Sequence, residues 1–369
     1  MTSRTKPPFR ADMVGSLLRS APVKEAREKR AAGTIGAEEL AQVEDAEIAA
    51  LVRKQEAVGL QAVTDGEFRR AFWHFDFLEG LTGVQGYDAD SGIQFKGVAT
   101  KARGLRVTGK LDFPDDHPHL AHFKYLASVT SRVPKMTIPS PSMLHYRGGR
   151  KAVDPTAYLH MEDYYADLGK TYAKAVQAFY DAGCRYLQLD DTSLSYFCDP
   201  EQRTMLAERG DDPDRLIHTY RDVINAATAA KPADMVITTH TCRGNFKSTF
   251  IASGGYEPVA DLVFNEIDVD GYFMEWDDSR SGGFEPLRFL PKGKHVVLGL
   301  VTTKVGSVES KDDIKRRIEA AGRHAPLDQL CLSPQCGFAS TEEGNLLAEE
   351  EQWAKLSRIV EVAGEVWGR

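Results

Sequence analysis

The chain has 369 residues, of which 42% are hydrophobic and 27% are charged, and its formal net charge is −8. This is an ordinary globular composition, and the acidic balance argues against a nucleic-acid-binding protein, because phosphate contacts require a basic surface. No apolar run approaches the ~20 residues of a membrane-spanning helix, and the polar start MTSRTKPPFRADMVGS contains no apolar signal-peptide segment. We therefore expect a cytoplasmic protein without nucleic-acid or membrane partners.

Short apolar runs alternate with longer amphipathic stretches along the chain. No two consecutive runs are joined by a tight hairpin turn, which indicates parallel strands. The predicted strands are residues 12–15, 60–64, 135–138, 186–189, 236–239, 272–274, 295–300 and 329–332, and the predicted helices are residues 37–58, 156–182, 213–230, 310–322 and 342–366. These units predict an α/β fold, a single (β/α)₈ TIM barrel with residues 1–369 as one catalytic domain. A doubly wound sheet is the alternative.

Residues 81–119 interrupt this alternation. The Gly, Asp and Pro residues of YDADSG and FPDDHPH are typical of turns, so the region is predicted to be an inserted loop or small hairpin over one end of the barrel. Its cationic residues Lys101, Arg103 and Arg106 could contact acidic groups of a ligand, but a solvated charged surface is the preferred interpretation.

Reactive side chains follow most of the predicted strands. In a TIM barrel these positions form the C-terminal rim, where active sites are built, so residues far apart in sequence converge in space. The residues at the predicted rim are Ser16, Asp65, Glu67, Ser140, Asp190, Asp191, His240, Cys242, Glu275, Thr302 and Cys336.

The five cysteines are an odd number, which argues against a disulfide framework in a non-secreted protein. Cys184 and Cys331 lie within apolar patterns and are predicted to be core residues, and Cys198 is predicted to lie in a loop. Cys242 and Cys336 remain as candidates for chemistry.

His240, Cys242 and Cys336 form a candidate metal site. The first two are two positions apart at a strand end, so their side chains point to one side, roughly 6–7 Å apart. A His and Cys set suits Zn²⁺, whose catalytic sites keep one position open, and Glu275 could complete the tetrahedron in the resting state. Without the third ligand and the barrel the pair is a weak motif, because a lone His is commonly structural and a lone Cys a core residue.

The ligand set also indicates the chemistry. Two thiolates make zinc a poor Lewis acid for water, whereas a substrate thiol at the open position is deprotonated and stays nucleophilic. The site therefore favours S-alkylation over hydrolysis.

The motifs VGS, TDGEFRR, LQLDD, THTC, FMEWDD and LCLSPQCGFAS occur in this order. In this respect the chain resembles the cobalamin-independent methionine synthase family, specifically its catalytic C-terminal barrel and its short single-barrel members. The resemblance implies zinc held by His240, Cys242, Glu275 and Cys336. It also implies homocysteine bound by Val14, Ser16, Glu67 and Asp190, with the two carboxylates as catalytic residues that hold the α-ammonium group.

The sequence leaves simpler roles open for the acidic residues. Asp190 and Asp191 could be helix N-caps after a strand. Glu67 could form a surface salt bridge with Arg69 or Arg70.

Two departures from the family pattern concern the methyl donor. Where the two-barrel methionine synthases have a Trp that stacks on the folate pterin, this chain has Ser140, Pro141 and Ser142. Where they have a His after the seventh strand, proposed as the acid for the leaving nitrogen, this chain has Val301 and Thr302. Displacement of a tertiary amine requires a protonated nitrogen, so methyltetrahydrofolate and a methylated corrinoid protein both stay open as donors.

Three other functions are considered. Transfer to coenzyme M, as in epoxide-opening relatives, would require Arg or Lys for the sulfonate at the positions of Glu67 and Asp190. A metal-free decarboxylase of the uroporphyrinogen type would require a basic cleft and would not use Cys336. A purely structural zinc site normally draws closely spaced ligands from small knuckles, unlike these residues.

Overall fold

The centre of the protein is a parallel β-sheet of seven strands, seen in a computed structural model that describes residues 4–368. In chain order the strands are β1 (Ala62–Val63), β2 (Thr82–Asp88), β3 (Gln94–Phe95), β4 (Val98–Ala99), β5 (Arg103–Asp112), β6 (Val133–Pro139), β7 (Tyr186–Asp191), β8 (Val236–Thr241), β9 (Gly271–Glu275), β10 (His295–Val301) and β11 (Leu330–Pro334). The central sheet has the order β1-β6-β7-β8-β9-β10-β11, and each neighbouring pair is parallel.

Helices connect these strands and cover the outside of the curled sheet, as expected for right-handed β/α units. They are α1 (Ala21–Ala31), α2 (Ala37–Val58), α3 (Phe75–Leu78), α4 (Pro118–Ser128), α5 (Met143–Tyr146), α6 (Met161–Asp181), α7 (Ser193–Tyr196), α8 (Pro200–Arg209), α9 (Pro213–Thr228), α10 (Lys311–Ala321) and α11 (Glu349–Trp367). No helix among residues 4–368 is long and apolar enough to cross a membrane.

The local sequence explains where several helices begin. At the start of α9 the Asp212 carboxylate accepts hydrogen bonds from the backbone N–H groups of Asp214 and Arg215, and Pro213 occupies the first helical turn, a favoured arrangement. Two predicted helices begin later than expected. Asp154 holds residues before α6 in a turn through the backbone N–H of Thr156, and Gly344, with a φ of +70°, lies in the turn before α11.

The predicted strand at residues 12–15 is not a strand in the structure. The segment makes a single parallel bridge, between Ala11 and Leu332 of β11. The N–H of Asp12 donates to the carbonyl of Leu332, while its carboxylate accepts from the N–H groups of Phe9 and Met13. After Asp12 the backbone is held by side chains. On the other side the Thr64 hydroxyl donates to the carbonyl of Gly15 at 2.6 Å. The segment thus lies between β11 and β1 and completes a TIM-barrel-like arrangement.

The inserted region consists of two nested hairpins, as the sequence predicted. Strand β2 pairs antiparallel with β5, and β3 pairs antiparallel with β4 at the tip. The tip contacts the loop after β8: the N–H of Lys96 donates to the carbonyl of Phe250, and the rings of Phe95 and Phe246 are 5.3 Å apart. The tip therefore lies over the C-terminal ends of the barrel strands.

Candidate active site and metal centre

The ends of adjacent strands bring the predicted rim residues together. Asp190 near the end of β7 is in register with His240 of β8, and His240 is in register with Phe273 of β9. Cys242 follows β8 directly, Glu275 is the last residue of β9, and Cys336 lies just beyond β11. The hydrogen-bonded register of the sheet thus fixes side chains that are far apart in the sequence.

His240, Cys242 and Cys336 form one cluster, in which one ligand atom from each residue lies within 4.8 Å of the others. The two sulfur atoms are 3.4 Å apart, and all three side chains are buried. Neither ring nitrogen of His240 has a hydrogen-bond partner, although an unpaired buried polar atom is costly. A borderline metal such as zinc would satisfy both the imidazole and the two sulfurs, so the residues fit the implied metal.

Glu275 lies beside this cluster. Its Oε1 is 3.6 Å from the sulfur of Cys242, while its Oε2 accepts a hydrogen bond from the backbone N–H of Arg243. The guanidinium of Arg243 forms an ion pair with the same carboxylate and donates to the hydroxyl of Tyr256 at 2.6 Å. One carboxylate oxygen is therefore fixed and the other faces the cysteines, as a fourth, exchangeable ligand would require.

The two thiols of the cluster differ in acidity. The hydrogen bond between them holds the pKa of Cys336 well below its usual range, and the nearby His240 adds to this effect. The same contact, together with burial, raises the pKa of Cys242 well above its usual range. Burial disfavours the charged form of His240, but the adjacent Cys336 thiolate outweighs burial and raises its pKa. Metal binding requires both thiols in the thiolate form, so a bound cation would favour loss of the proton from Cys242 as well.

Glu67 reaches the same pocket from the loop after β1. Its φ of 59° places it in the left-handed region, which is strained for a residue other than glycine and typical of functional positions. Its Oε1 accepts from the hydroxyl of Thr137 at 2.9 Å and faces Arg70 at 3.5 Å, but its Oε2 is buried without a partner. The ion pair between Glu67 and Arg70 is therefore buried and does not lie at the surface. Burial also raises the pKa of Glu67.

The adjacent acidic residues Asp190 and Asp191 have different environments. Asp190 lines the pocket and accepts from the side-chain amide of Gln188 at 2.7 Å, and burial raises its pKa to about 7. Asp191 accepts from the hydroxyls of Ser142 and Ser193 and from the N–H of Leu194 at the start of α7. Both residues line the pocket, but Asp191 is engaged by the hydroxyls and by the N–H at the start of α7, so Asp190 is the freer carboxylate.

Val14 and Ser16 line the pocket from the N-terminal segment. The carbonyl of Ser16 accepts from the N–H of Phe338, and its hydroxyl accepts from the N–H of Ala339. A Cβ atom at Gly337 would lie 1.9 Å from the hydroxyl oxygen of Ser16. A side chain at position 337 would displace the hydroxyl of Ser16, so the loop that carries Cys336 packs directly on Ser16.

The empty space around these residues is about 600 Å³, including the open solvent at its mouth. One side of it carries residues that the sequence did not single out, which we call the aromatic wall: Phe72, Trp73, His74, Phe95 and Phe246. Arg147 and Tyr196 also line the cavity. Phe72, Trp73 and His74 belong to the aromatic run AFWHFDF directly after DGEFRR, whose local pattern does not show which rings face a cavity.

Other predicted rim residues do not reach the cavity. Ser140 is fully buried and its N–H donates to the carbonyl of Asp190, and the hydroxyl of Thr302 donates to Asp277. In the inserted region, Lys101 and Arg103 form ion pairs with Glu342 and Glu79. These two cations line a neighbouring cavity that meets the first one at Phe72.

Comparison with known proteins agrees with this architecture. The YxjH protein of Bacillus subtilis, described as uncharacterized, is 54% identical over 364 residues, which cover 98% of this chain and 96% of that protein. A Bacillus velezensis 5-methyltetrahydropteroyltriglutamate–homocysteine methyltransferase is 24% identical over 95% of this chain, which corresponds to 42% of the longer protein.

Solved structures show the same fold. A Listeria monocytogenes protein assigned as a vitamin-B12-independent methionine synthase superposes with a TM-score of 0.81 at 45% identity, covering 99% of this chain and 100% of that one. A B12-independent methionine synthase from Shewanella, in complex with selenomethionine, has a TM-score of 0.73 at 18% identity, covering 97% of both chains. The family described as "Cobalamin-independent synthase, Catalytic domain" matches residues 9–365. The chain therefore belongs to this family, which supports a methyltransferase of the methionine synthase type.

Proposed function

We propose that this chain is a zinc-dependent methyltransferase that methylates the thiol of homocysteine to give methionine. The observation that carries the proposal is the convergence of His240, Cys242 and Cys336 within 4.8 Å, with both ring nitrogens of the histidine unpaired. Glu275 is proposed as the fourth, exchangeable ligand. Zinc, when bound, would supply the deprotonation of the substrate thiol while leaving its sulfur nucleophilic.

The other pocket residues provide for an amino acid. The unpaired Oε2 of Glu67 and the pocket-facing Asp190 are suited to an α-ammonium group, since charge-assisted hydrogen bonds are the strong ones. An ammonium between the two carboxylates would also favour their ionised forms and offset the effect of burial. Val14 and Ser16 line the same pocket and are proposed to contact the α-carboxylate. Homocysteine combines these groups with a thiol.

This arrangement argues against coenzyme M as the acceptor. Its sulfonate would meet the two buried carboxylates, and like charges at short distance in a buried site are strongly unfavourable. Arg147 is the only Arg or Lys among the described residues that line the cavity. A direct comparison of the two thiols therefore tests the amino-acid end of the site.

The test begins with the zinc content of the purified protein, measured before and after a chelator challenge with and without homocysteine. We expect about one zinc per chain, retained better when homocysteine is present and not when coenzyme M replaces it. Methionine formation is then measured with methyltetrahydrofolate and with a methylated corrinoid protein as donors. A folded chain that takes up no zinc, or zinc-loaded protein that forms no methionine with either donor, would contradict the proposal.

A further inference from the structure

His74 is a buried imidazole for which the fold supplies no polar partner. It lines the cavity and is 1% exposed, and neither of its ring nitrogens has a hydrogen-bond partner. Its ring contacts Phe72, Trp73 and Phe75, at centroid distances of 5.0, 4.5 and 4.2 Å. A histidine used only for packing would be a poor choice among aromatic rings, because burial without hydrogen bonds costs stability.

The other buried histidines differ from His74 in their hydrogen bonds, in the cavity that they line or in belonging to the metal cluster. Among residues 4–368, three buried histidines have both ring nitrogens unpaired: His74, His119 and His240. His240 belongs to the metal cluster, and His119 lines the neighbouring cavity. Of these three histidines, His74 alone lines the cavity around the metal cluster without belonging to that cluster.

The surroundings of His74 keep it neutral. Burial lowers its pKa well below the usual range, and the positive charge of Arg147 lowers it further. A neutral imidazole presents one N–H donor and one free nitrogen, and after taking up a proton it is a stronger acid than an exposed histidine. Such a group can deliver a proton at neutral pH.

The proposed reaction needs a proton donor if the methyl group comes from nitrogen. A new S–CH₃ bond forms, the C–N bond breaks, and the electron pair stays on the nitrogen, which must take up a proton to leave. In the loop after β10, the hydroxyl of Thr302 and the ammonium of Lys304 are both paired with Asp277, and Val301 is fully buried. None of these three is among the described residues that line the cavity.

We propose, on the basis of the function proposed above, that His74 donates a hydrogen bond and then a proton to the leaving nitrogen of an N-methyl donor. The second ring nitrogen takes up the replacement proton, so that overall the thiol proton is transferred to the amine: R–SH + CH₃–NR₂ gives R–S–CH₃ + H–NR₂. His74 is then a catalytic residue supplied by the aromatic wall and not by a barrel strand.

The experiment compares two methyl donors with homocysteine as acceptor. 5-Methyltetrahydropteroyltriglutamate leaves through a nitrogen that needs a proton, whereas methyl iodide leaves as iodide and needs none. The variant is His74→Phe, which keeps an aromatic ring in the wall, and His119→Phe is the matched control in the neighbouring cavity. Imidazole is added to a His74→Gly variant to test chemical rescue, which a merely structural role would not allow.

For His74→Phe we expect a loss in kcat of about 10²- to 10⁴-fold with the folate donor and an unchanged rate with methyl iodide. His119→Phe should retain both activities, and imidazole should restore part of the folate reaction to His74→Gly. Equal losses with both donors, or no loss with the folate, would overturn the inference. Wild-type protein that reacts with methyl iodide but not with the folate would overturn it too, yet would leave the thiol activation standing. Wild-type protein that reacts with neither would contradict the proposed function itself.

Discussion

The two sides of the cavity are built in different ways. The metal cluster and Asp190 come from the C-terminal ends of barrel strands. The register fixes Asp190 of β7 beside His240 of β8, and Cys336 follows β11 at the same rim. The aromatic wall comes from the loop before α3, from the inserted hairpin and from the loop after β8. Side chains on a hydrogen-bonded sheet are held rigidly, and those on loops depend on the packing of each loop. The rigid side is suited to thiol activation, and the variable side to selection of the methyl donor.

Removal of a cysteine ligand should have the largest effect and would test the rigid side. Cys336→Ser should lose zinc and reduce methionine formation by more than about 100-fold, since even outer residues of metal sites contribute about 10- to 100-fold to affinity. The thermal transition should stay unchanged, because Cys336 faces the cavity. Elemental analysis, activity and calorimetry check this prediction.

The matched control is Cys331→Ser, which changes a fully buried core cysteine of β11. It should lower the thermal transition and keep the zinc. If Cys336→Ser unfolds the protein instead, the metal site is structural and the comparison between the two sides fails.

Loss of the Glu67 carboxylate, whose Oε2 is unpaired, should have the next largest effect. Glu67→Gln removes a charge-assisted interaction worth about 1.5–3 kcal/mol, so the KM for homocysteine should rise by roughly 10- to 150-fold. Zinc content should not change. Steady-state kinetics check this, with Glu79→Gln as the control, because Glu79 pairs with Arg103 in the inserted region. An unchanged KM would remove Glu67 from the amino-acid site.

A change in the hairpin tip should act on the donor alone. Phe95→Ala removes an aromatic contact worth about 0.5–1.5 kcal/mol, so the KM for the methyl donor should rise by roughly 2- to 12-fold. The KM for homocysteine should stay the same. Tyr87→Ala, at an exposed position of the same insertion, is the control. Equal effects on both substrates would show that the two sides are not independent.

The last prediction concerns stability and not activity, and it involves His145, a buried histidine with hydrogen-bond partners. The ring nitrogens of His145 contact the hydroxyls of Tyr220 and Tyr165, and burial lowers its pKa from 6.5 to about 4. Between these pH values the unfolded chain binds more protons at this residue, so its stabilising effect is present above about pH 6.5 and is lost as the pH falls towards 4.

Replacement by asparagine should therefore make the stability less dependent on pH in this window, by up to about 1.4 kcal/mol for each pH unit. Urea unfolding of the wild type and of His145→Asn at several pH values measures the difference. An identical slope for both proteins would show that burial does not hold His145 in its neutral form.

The sequence predicted the strand ends better than the loops, for a physical reason. Apolar runs that end in polar residues mark barrel strands and their rim, so His240, Cys242, Glu275 and Cys336 were found as a group. Residues 12–15 are predicted to be a strand, but after Asp12 the carbonyls of this segment accept from side chains of the neighbouring strands and loops and not from a strand backbone. Apolar patterning does not reveal this. His74 was missed because nothing in a local pattern shows which aromatic residues of AFWHFDF face a cavity.

The contact between Ser16 and Gly337 sets an order of events during protein synthesis. The N-terminal segment pairs with β11 through Ala11 and Leu332, and Ser16 accepts a hydrogen bond from Phe338. Residues 11–16 are synthesised more than 300 residues before residues 332–338, so the pocket can close only after the later segment has been made. A nascent chain interrupted before residue 336 would lack the third cysteine or histidine ligand. The complete pocket can therefore form only after residue 336 has been translated.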